Sequence, residues 1–527
     1  MKTTGTSKPL VLFLVMLGCL TIYSCVKQPT SFIVLQTSDL HGRFDSSLAG
    51  LAGYVHHMKE EYKDRALLLD AGDYLQGTPG LYYSSHIDTV EKHICAAFFD
   101  WFPYTAISVG NHDIEAGMSV FSRVFRQMEV PILSANVIHE STRKPYFEPY
   151  KVFSVKGYKI AVIGMLTPHV SSWVAERLRP GLDFLSIEES AAYWIPHIRE
   201  KEKPDLLIGL FHTGAKGGAT GELGSENASL WVAEHVPGID LICYGHDHRP
   251  AIYSVLGRNR DTVWLMNPGA GGEFLAQAKV LVSPRGRNRV QIVPELIKTD
   301  TLEPGQEYLN AFTPYFQRAY EYERKPIAEL LNTIESRRAF EGPSAWVDEV
   351  HRGQLTIAGL HTDLLPDVSF ASALSDNAVL RKGQLYLKDF FTWFPYENSL
   401  CILEMTGSEI KQYLEYSYSQ TDIINFDTAA GIFYTVFKDK PEGERIQIHA
   451  LAGGFDFVQE RKYKVVMNSY RAQGGGGHLL EGVGWDAATI RARMLWESKT
   501  DMRQDFMNWE ASRSPFRARP LPYWRYQ

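Results

Sequence analysis

Short apolar runs alternate with longer amphipathic stretches through the first part of the chain. Each run is about four to seven residues long and several are rich in Ile and Val, which is typical of strands buried on both faces and covered by helices. The runs occur in FIVLQTSDLHG, ALLLDAGD, TAISVGNHD, PILSANV, KIAVIGMLT, DLLIGLFHTG and IDLICYGHDH. This pattern predicts an α/β domain over residues 31–300.

The composition and residue spacing of the sequence change after about residue 295. Residues 301–338 are charged and aromatic with helical spacing, and they predict a helical connector that Pro326 should break or kink. A second, smaller α/β domain is predicted over residues 339–527. Its strand candidates are VSFASAL, SLCILEMT and KYKVVMNSY, and its strongest helix candidate runs from Gly407 to Tyr416.

Residues 1–25 have the pattern of a signal peptide. Basic residues precede the apolar run 10–20, which is short and close to the terminus for a membrane span. The sequence IYSC, which ends at Cys25, resembles a bacterial lipoprotein cleavage box, and Cys19 is a weaker alternative. We expect an exported protein, periplasmic or an outer-membrane lipoprotein, anchored in the membrane through a lipid on Cys25. The alternative is an ordinary secretory signal in which Cys25 is incidental.

Length and composition limit the functional classes. A chain of 527 residues with 45% hydrophobic residues is expected to form two domains. The formal net charge of −7 provides no basic surface for long nucleic acid, whereas a small anionic substrate is compatible with it, because a metal ion can supply local positive charge. Beyond the leader, Cys95, Cys243 and Cys401 show no zinc-like pairing and imply no disulfide framework.

Almost every apolar run of the first domain ends in a group that contains Asp, His or Asn. The five groups are DLH at 39–41, GD at 72–73, GNHD at 110–113, His212 and GHDH at 245–248. Each motif alone is common as a turn or a cap. Together they place hard and borderline ligands at the carboxyl ends of several strands, where open α/β sheets form their sites. The order therefore predicts a metal site that stays open to substrate.

The order DxH, GD, GNH, lone His and GHxH resembles that of the calcineurin-like metallophosphoesterases. The second half is similar to the secreted branch that comprises 5'-nucleotidases and 2',3'-cyclic-nucleotide 2'-phosphodiesterases. The resemblance implies a layered α/β sandwich and two divalent metal ions, which Mn, Zn, Fe or Co would suit. It implies one metal ion held by Asp39, His41 and His248, a second held by Asn111, His212 and His246, and a bridging Asp73.

The resemblance also implies a catalytic histidine at His112, beside the metal ligand Asn111. In the family this histidine faces the phosphoryl oxygen or the leaving group and pairs with an Asp three residues later, which is Glu115 here. Glu115 either orients His112 or is a carboxylate favoured by the dipole at the start of a helix. Asn111 is expected to lie against the substrate as well.

In the second domain, the family holds the nucleobase between two aromatic rings. The resemblance assigns these rings to Phe426 in NFDTAAGI and Tyr470 in NSYRAQGGGG, and a core position is the alternative for Phe426. The NGGxR segment of 5'-nucleotidases, whose Arg helps to hold the phosphate, is replaced by ASALSDNAVLRKG at 371–383. The sequence does not show whether Arg381 or Arg471 takes that role.

These features predict an exported metal-dependent hydrolase of nucleotides that acts by attack of a metal-activated hydroxide on phosphorus. The absent NGGxR favours the opening of 2',3'-cyclic nucleotides, with removal of a 3'- or 5'-phosphate as a further activity. A 5'-nucleotidase or UDP-sugar hydrolase is the alternative within the same class. A nucleotide-binding lipoprotein without catalysis is the alternative outside it, and the retained ligands together with His112 favour the enzyme.

Overall fold

The computed structural model describes residues 27–284, 289–421 and 423–527, so the predicted leader lies outside the described residues. Its first domain contains two six-stranded sheets. The first sheet is parallel in its last four strands, and its order is Val290–Lys298, Phe274–Val282, Thr30–Thr37, Ala66–Asp70, Ala106–Ser108 and Ile132–Leu133.

The second sheet has a parallel centre and antiparallel edges. Its order is Ala251–Leu256, Thr262–Asn267, Leu241–Tyr244, Leu206–His212, Tyr158–Leu166 and Tyr150–Val155. All seven strands predicted from the apolar runs belong to one of these two sheets. Two antiparallel strand pairs lie outside these sheets. One joins Val137–His139 to Leu182–Phe184, and the other is a hairpin of Gly217–Gly221 and Gly224–Asn227.

An apolar core lies between the two sheets, where Val34 and Leu69 of the first sheet pack with Val162 and Leu210 of the second. Helices cover both outer faces. The first sheet is covered by Ala49–Tyr62, Ile94–Trp101 and Met118–Phe125, and the second by Ile187–Lys201 and Ser229–His235. This arrangement confirms the predicted layered α/β sandwich.

The connector is helical only in its first half. The helix Gln306–Glu323 packs on the first domain through Tyr308 and Phe312. Residues Pro326–Leu330 then form a strand that pairs with Gly383–Tyr386 of the second domain. Proline has no N–H to continue a helix, but it is tolerated at the first position of a strand. The prediction of a helical connector as far as residue 338 was therefore wrong beyond Glu323.

The second domain is built on a five-stranded sheet. Its order is Thr428–Ala430, Val368–Ala371, Lys462–Asn468, Leu400–Thr406 and Met494–Glu497. A smaller sheet contains Ile446–Leu451, Ile432–Val436 and Trp524–Tyr526. The main helices are Ala345–His361, Leu387–Trp393, Gly407–Ser417 and Met502–Ser512. The predicted strands and the predicted helix of this domain are confirmed.

Two further properties concern the described residues alone. Cys95, Cys243 and Cys401 are buried free thiols, as expected from the absence of pairing in the sequence. In the described ranges, no helix has both the length and the apolar character that a membrane crossing requires.

Candidate active site

The parallel strands of both sheets end at one edge of the sandwich, and the five predicted motifs meet there. The ligand atoms of Asp39, His41, Asp73 and His248 lie within 4.8 Å of one another, and so do those of Asp73, His212 and His246. Asp73 belongs to both groups, which suits a carboxylate that bridges two cations. The seventh predicted ligand is close by, because Asn111 Oδ1 lies 3.1 Å from His212 Nε2.

The donor set fits two divalent metal ions. His41 Nε2 lies 3.0 Å from His248 Nε2, which is itself 3.3 Å from Asp39 Oδ1. Two imidazole nitrogens and a carboxylate oxygen that converge in this way offer lone pairs to one cation. Mixed His, Asp and Asn donors suit borderline ions such as Mn, Zn, Fe and Co. The geometry therefore agrees with the ligand set implied by the sequence.

Backbone conformation at the ligands is unusual. Five of them adopt positive φ angles, namely Asp39 at 51°, His41 at 48°, Asp73 at 61°, His246 at 80° and His248 at 54°. Left-handed backbone costs a non-glycine residue about 1 kcal/mol or more, and such strain concentrates at functional sites. The fold therefore stabilises this arrangement of the ligand loops at a local conformational cost.

The buried carboxylate of Asp113 joins two of the ligand loops. It accepts backbone hydrogen bonds from Gly110 at 2.7 Å, Asp73 at 3.0 Å, and Tyr74 and Leu75 at 2.9 Å. Burial and the nearby Asp73 carboxylate raise the pKa of Asp113 to about 7, against the effect of these N–H groups. The last residue of GNHD is thus structural and fixes the position of Asp73.

Carbonyl oxygens orient two of the histidine ligands. His212 Nδ1 lies 2.8 Å from the carbonyl of Ala71, and His41 Nδ1 lies 3.2 Å from the carbonyl of Gln76. A hydrogen bond from Nδ1–H to a carbonyl fixes the tautomer and leaves Nε2 as the ligand atom. Both rings therefore present Nε2 to the centre of the site.

His112 lies beside the ligand groups but outside both of them. Its Nδ1 is 2.5 Å from Glu115 Oε2, and its backbone N–H donates to Asp73 Oδ1 at 2.8 Å. Gln76 Nε2 also donates to Glu115 Oε2, at 3.2 Å. Burial opposes the charged imidazolium, but the carboxylates of Asp73 and Glu115 outweigh it and raise the pKa of His112 to about 9. The longer Glu115 side chain thus reaches the position needed to orient His112.

A cavity of about 230 Å³ lies between the two domains and opens onto this site. The first domain contributes Asn111, His112, Glu115, Trp173, Glu226 and His246 to its wall. The second domain contributes Leu374, Tyr396, Asn398, Ile424, Asn425, Asn468, Tyr470 and Arg471. The first domain's side of the cavity is therefore lined by metal ligands and His112, and the second domain's side by tyrosine rings together with aliphatic, amide and arginine side chains.

Tyr470, which the family resemblance assigns to the nucleobase site, lines the cavity. Its backbone N–H donates to Asn398 Oδ1 at 3.0 Å. The ring lies so close to Gly475 that an added Cβ there would come within 2.5 Å of it. The glycine-rich segment therefore gives the tyrosine ring room to reach the cavity wall.

Phe426 does not reach the cavity. Its side chain is 2% exposed, and its ring packs against Phe340 and Tyr418 at centroid distances of 4.7 and 4.8 Å. The prediction that Phe426 contacts the substrate was therefore wrong, and its alternative, a core position, is correct.

Tyr396 is a cavity residue that the sequence motifs did not indicate. Its side chain is 36% exposed and lines the cavity, and its ring lies nearly parallel to the His112 ring at a centroid distance of 6.4 Å.

The sequence left open whether Arg381 or Arg471 takes the role of the NGGxR arginine; Arg471 lines the cavity, but its guanidinium is paired with Asp427. Arg471 is 3% exposed and makes hydrogen bonds of 3.1 to 3.2 Å to Asp427, with further bonds to Asn425 and to backbone carbonyls. Arg381 is absent from the described residues that line the cavity. The guanidinium of Arg471 is thus committed to the fold of the second domain.

Two residues beside His246 lie outside the five sequence motifs. Glu226 Oε1 lies 3.1 Å from His246 Nε2, and the Trp173 ring stacks on the imidazole at 5.6 Å with an interplanar angle of 20°. Glu226 lies in a glycine-rich hairpin, and Trp173 ends the short helix Val170–Trp173. Neither position follows one of the apolar runs that marked the other site residues.

Comparison with known families agrees with this geometry. Residues 32–250 match the calcineurin-like phosphoesterase family, and residues 326–481 match the 5'-nucleotidase C-terminal domain. The first domain of this chain is therefore a calcineurin-like phosphoesterase domain. It is a phosphoester hydrolase of the family that uses a dinuclear divalent metal centre, joined to a nucleotidase-type second domain.

Two curated relatives and one solved structure match most of this chain. It is 23% identical to a Vibrio vulnificus 5'-nucleotidase over 87% of this chain and 89% of the relative. It is 24% identical to a Salmonella typhimurium 2',3'-cyclic-nucleotide 2'-phosphodiesterase/3'-nucleotidase over 84% and 81%. A solved 5'-nucleotidase precursor from Thermus thermophilus superposes with a TM-score of 0.69 at 20% identity, over 94% of this chain and 99% of that chain.

Proposed function

We propose that this phosphoesterase hydrolyses nucleotides in the interdomain cavity and prefers 2',3'-cyclic nucleotides, with removal of a 3'- or 5'-phosphate as a further activity. The observation that carries the proposal is the arrangement of the cavity wall. Metal ligands and His112 lie at one end, and Tyr396 and Tyr470 lie on the second domain's side. A phosphate at the first end would allow the base to contact the aromatic side chains.

Different side chains of the cavity wall have different roles in the proposed reaction. The two metal ions, when bound to the seven ligands, would supply the nucleophile and polarise the phosphoryl group. His112 is held through Nδ1 by Glu115, so its Nε2 is left to face the cavity and give a proton to the departing ribose oxygen. Tyr396 and Tyr470 would stack on the base, which tolerates different bases.

The preference for a cyclic substrate follows from charge. A cyclic phosphodiester carries one negative charge, whereas a phosphomonoester carries close to two at neutral pH. Arg471 is the arginine of the described cavity wall, and Asp427 already pairs with it. The second charge of a monoester would thus depend on the metals and His112 alone. Relatives named for each activity support the broader class of nucleotide substrates.

A panel of substrates tests this proposal directly. The full-length protein would be assayed with Mn²⁺ and with Zn²⁺ on 2',3'-cyclic AMP, 3'-AMP, 5'-AMP and UDP-glucose. We expect the highest kcat/KM for 2',3'-cyclic AMP. A much higher kcat/KM for 5'-AMP or UDP-glucose would overturn the order and favour the 5'-nucleotidase or UDP-sugar hydrolase alternative.

The cellular location is a separate part of the proposal. We propose that the protein is exported and anchored at Cys25, periplasmic or in the outer membrane, on the basis of the basic and apolar leader and the IYSC box. Metabolic labelling with an alkyne fatty acid tests it. Incorporation into the wild type and its loss in Cys25→Ser are expected, whereas labelling that persists in Cys25→Ser would contradict the anchor site.

A further inference from the structure

A carboxylate outside the recognised motifs contacts a metal-ligand histidine. Glu226 Oε1 lies 3.1 Å from His246 Nε2, and both side chains are largely buried in the cavity wall. The other oxygen, Glu226 Oε2, accepts the backbone N–H of Ala219 at 2.8 Å. Both oxygens of the carboxylate therefore have defined partners, and the group has a fixed orientation toward the imidazole.

The hairpin that carries Glu226 is fastened to the strand end that carries His212. Thr213 Oγ1 donates to the carbonyl of Glu226 at 2.6 Å, and the N–H of Gly214 donates to Asn227 Oδ1 at 2.7 Å. Since Thr213 and Gly214 directly follow His212, the hairpin cannot shift without disturbing that ligand. Glu226 thus connects the His212 and His246 sides of one metal site.

The remaining contacts of His246 complete this support. Trp173 covers a face of the ring at 5.6 Å, and the backbone N–H of His246 donates to the Asp39 carboxylate at 3.1 Å. The indole restricts ring tilt, but it leaves the choice of ligand nitrogen open. Glu226 is the group that distinguishes the two ring nitrogens, because it occupies Nε2.

We propose that Glu226 is a positioning residue for the metal ion held by Asn111, His212 and His246. It accepts a hydrogen bond from Nε2–H of His246 and thereby presents Nδ1 to the ion, the reverse of the orientation found for His41 and His212. Carboxylates that hold the distal N–H of a ligand histidine typically contribute about 10- to 100-fold in metal affinity. The inference rests on the two-metal site and is independent of which nucleotide is the substrate.

Metal titration of the chelator-treated full-length protein tests the proposal. Zn²⁺ affinity would be measured by calorimetry and bound metal by elemental analysis for Glu226→Ala and Glu226→Gln. We expect Glu226→Ala to weaken one of the two Zn²⁺ sites about 10- to 100-fold. Glu226→Gln should stay within about threefold of the wild type, because its amide oxygen still accepts from Nε2–H. Glu222→Ala, an exposed residue of the same hairpin, is the matched control.

Each result other than the expected one decides against the proposal. Equal losses in Glu226→Gln and Glu226→Ala would show that the charge of Glu226 is itself needed, as for a metal ligand. Unchanged Zn²⁺ affinity in Glu226→Ala would show that the contact has no role in binding. The second Zn²⁺ site serves as the folding control within each variant. Failure of nucleotide turnover would leave these affinities interpretable, so the two proposals can fail separately.

Discussion

His112 Nδ1 lies 2.5 Å from Glu115 Oε2, although the family places the shorter aspartate at this position. Gln76 Nε2 donates to the same carboxylate oxygen at 3.2 Å, so two contacts hold the longer side chain in this position. Glu115 thus has the contacts of an orienting group as well as its place in the short helix Asn111–Glu115. The two interpretations left open by the sequence are compatible in the structure.

Glu115→Ala should lower kcat for nucleotide hydrolysis by about 10- to 100-fold, with a smaller change in KM, because His112 would lose its orientation for proton transfer. Steady-state kinetics with 2',3'-cyclic AMP measures this change, and elemental analysis should show the wild-type metal content. Glu234→Ala, at an exposed position of the first domain, is the control. A wild-type kcat in Glu115→Ala would restrict Glu115 to a structural role.

Asp73 is the residue whose loss should affect both metals at once, since it belongs to both ligand groups. We expect Asp73→Ala to bind fewer than about one metal ion per chain and to lose more than about 100-fold in kcat/KM. Its carboxylate also accepts the N–H of His112, so restored metal at high concentration should rescue activity only in part. Two tightly bound metals in this variant would contradict the bridging role; the exposed Asp261→Ala is the control.

Tyr396 and Tyr470 should contribute binding energy for the base and none for a substrate that lacks one. We expect either change to Ala to raise KM for 2',3'-cyclic AMP about 5- to 150-fold, the range for loss of one base stack. The kcat/KM for p-nitrophenyl phosphate should stay close to that of the wild type. Equal losses on both substrates would indicate damage to the metal site instead.

Phe426 should behave in the opposite way. Its buried ring supports the core of the second domain, so Phe426→Ala is expected to lower the free energy of unfolding by about 3 to 5 kcal/mol. Phe426→Leu should cost less and leave KM for nucleotides at the wild-type value. A raised KM in a folded Phe426→Leu protein would restore the original substrate assignment.

The sequence predicted the fold well because buried strands have a strong local signature. Runs such as ALLLD and LLIGLFH are apolar up to their last residue, and the polar residues at and after their ends must lie at the sheet edge. The end of the connector helix was predicted wrongly because local spacing does not show a distant strand partner. Helical spacing continues past Glu323, but Pro326 opens a strand whose partner, Gly383–Tyr386, lies far along the chain. No local pattern reports that pairing.

The site was predictable only where a motif follows a strand. The seven ligands and His112 do so, whereas Glu226 lies in a hairpin and contacts His246 solely through tertiary packing. Phe426 and Tyr396 both lie in loops of the second domain, and their sequences do not distinguish a core ring from an exposed one. The difference arises from Phe340 and Tyr418, which cover Phe426.

Asp348 gives a prediction for stability against pH. It lies buried in the helix Ala345–His361 and accepts the N–H of Leu521 at 2.9 Å. Burial raises its pKa to about 7, while that N–H and the nearby Arg352 act in the opposite direction. The unfolded chain would release this proton near pH 4. The stabilising contribution of the protonated group is therefore complete below about pH 4 and is lost as the pH rises to about 7.

Asp348→Asn should remove this dependence, because the amide cannot ionise and its oxygen can still accept from Leu521. The free energy of unfolding of the wild type should fall relative to that of the variant between pH 4 and pH 8, by up to roughly 4 kcal/mol. Denaturant unfolding at several pH values measures the difference, with Asp363→Asn, at a position just after the same helix, as the control. Parallel pH profiles for the wild type and Asp348→Asn would show that the buried carboxyl does not change its protonation on folding.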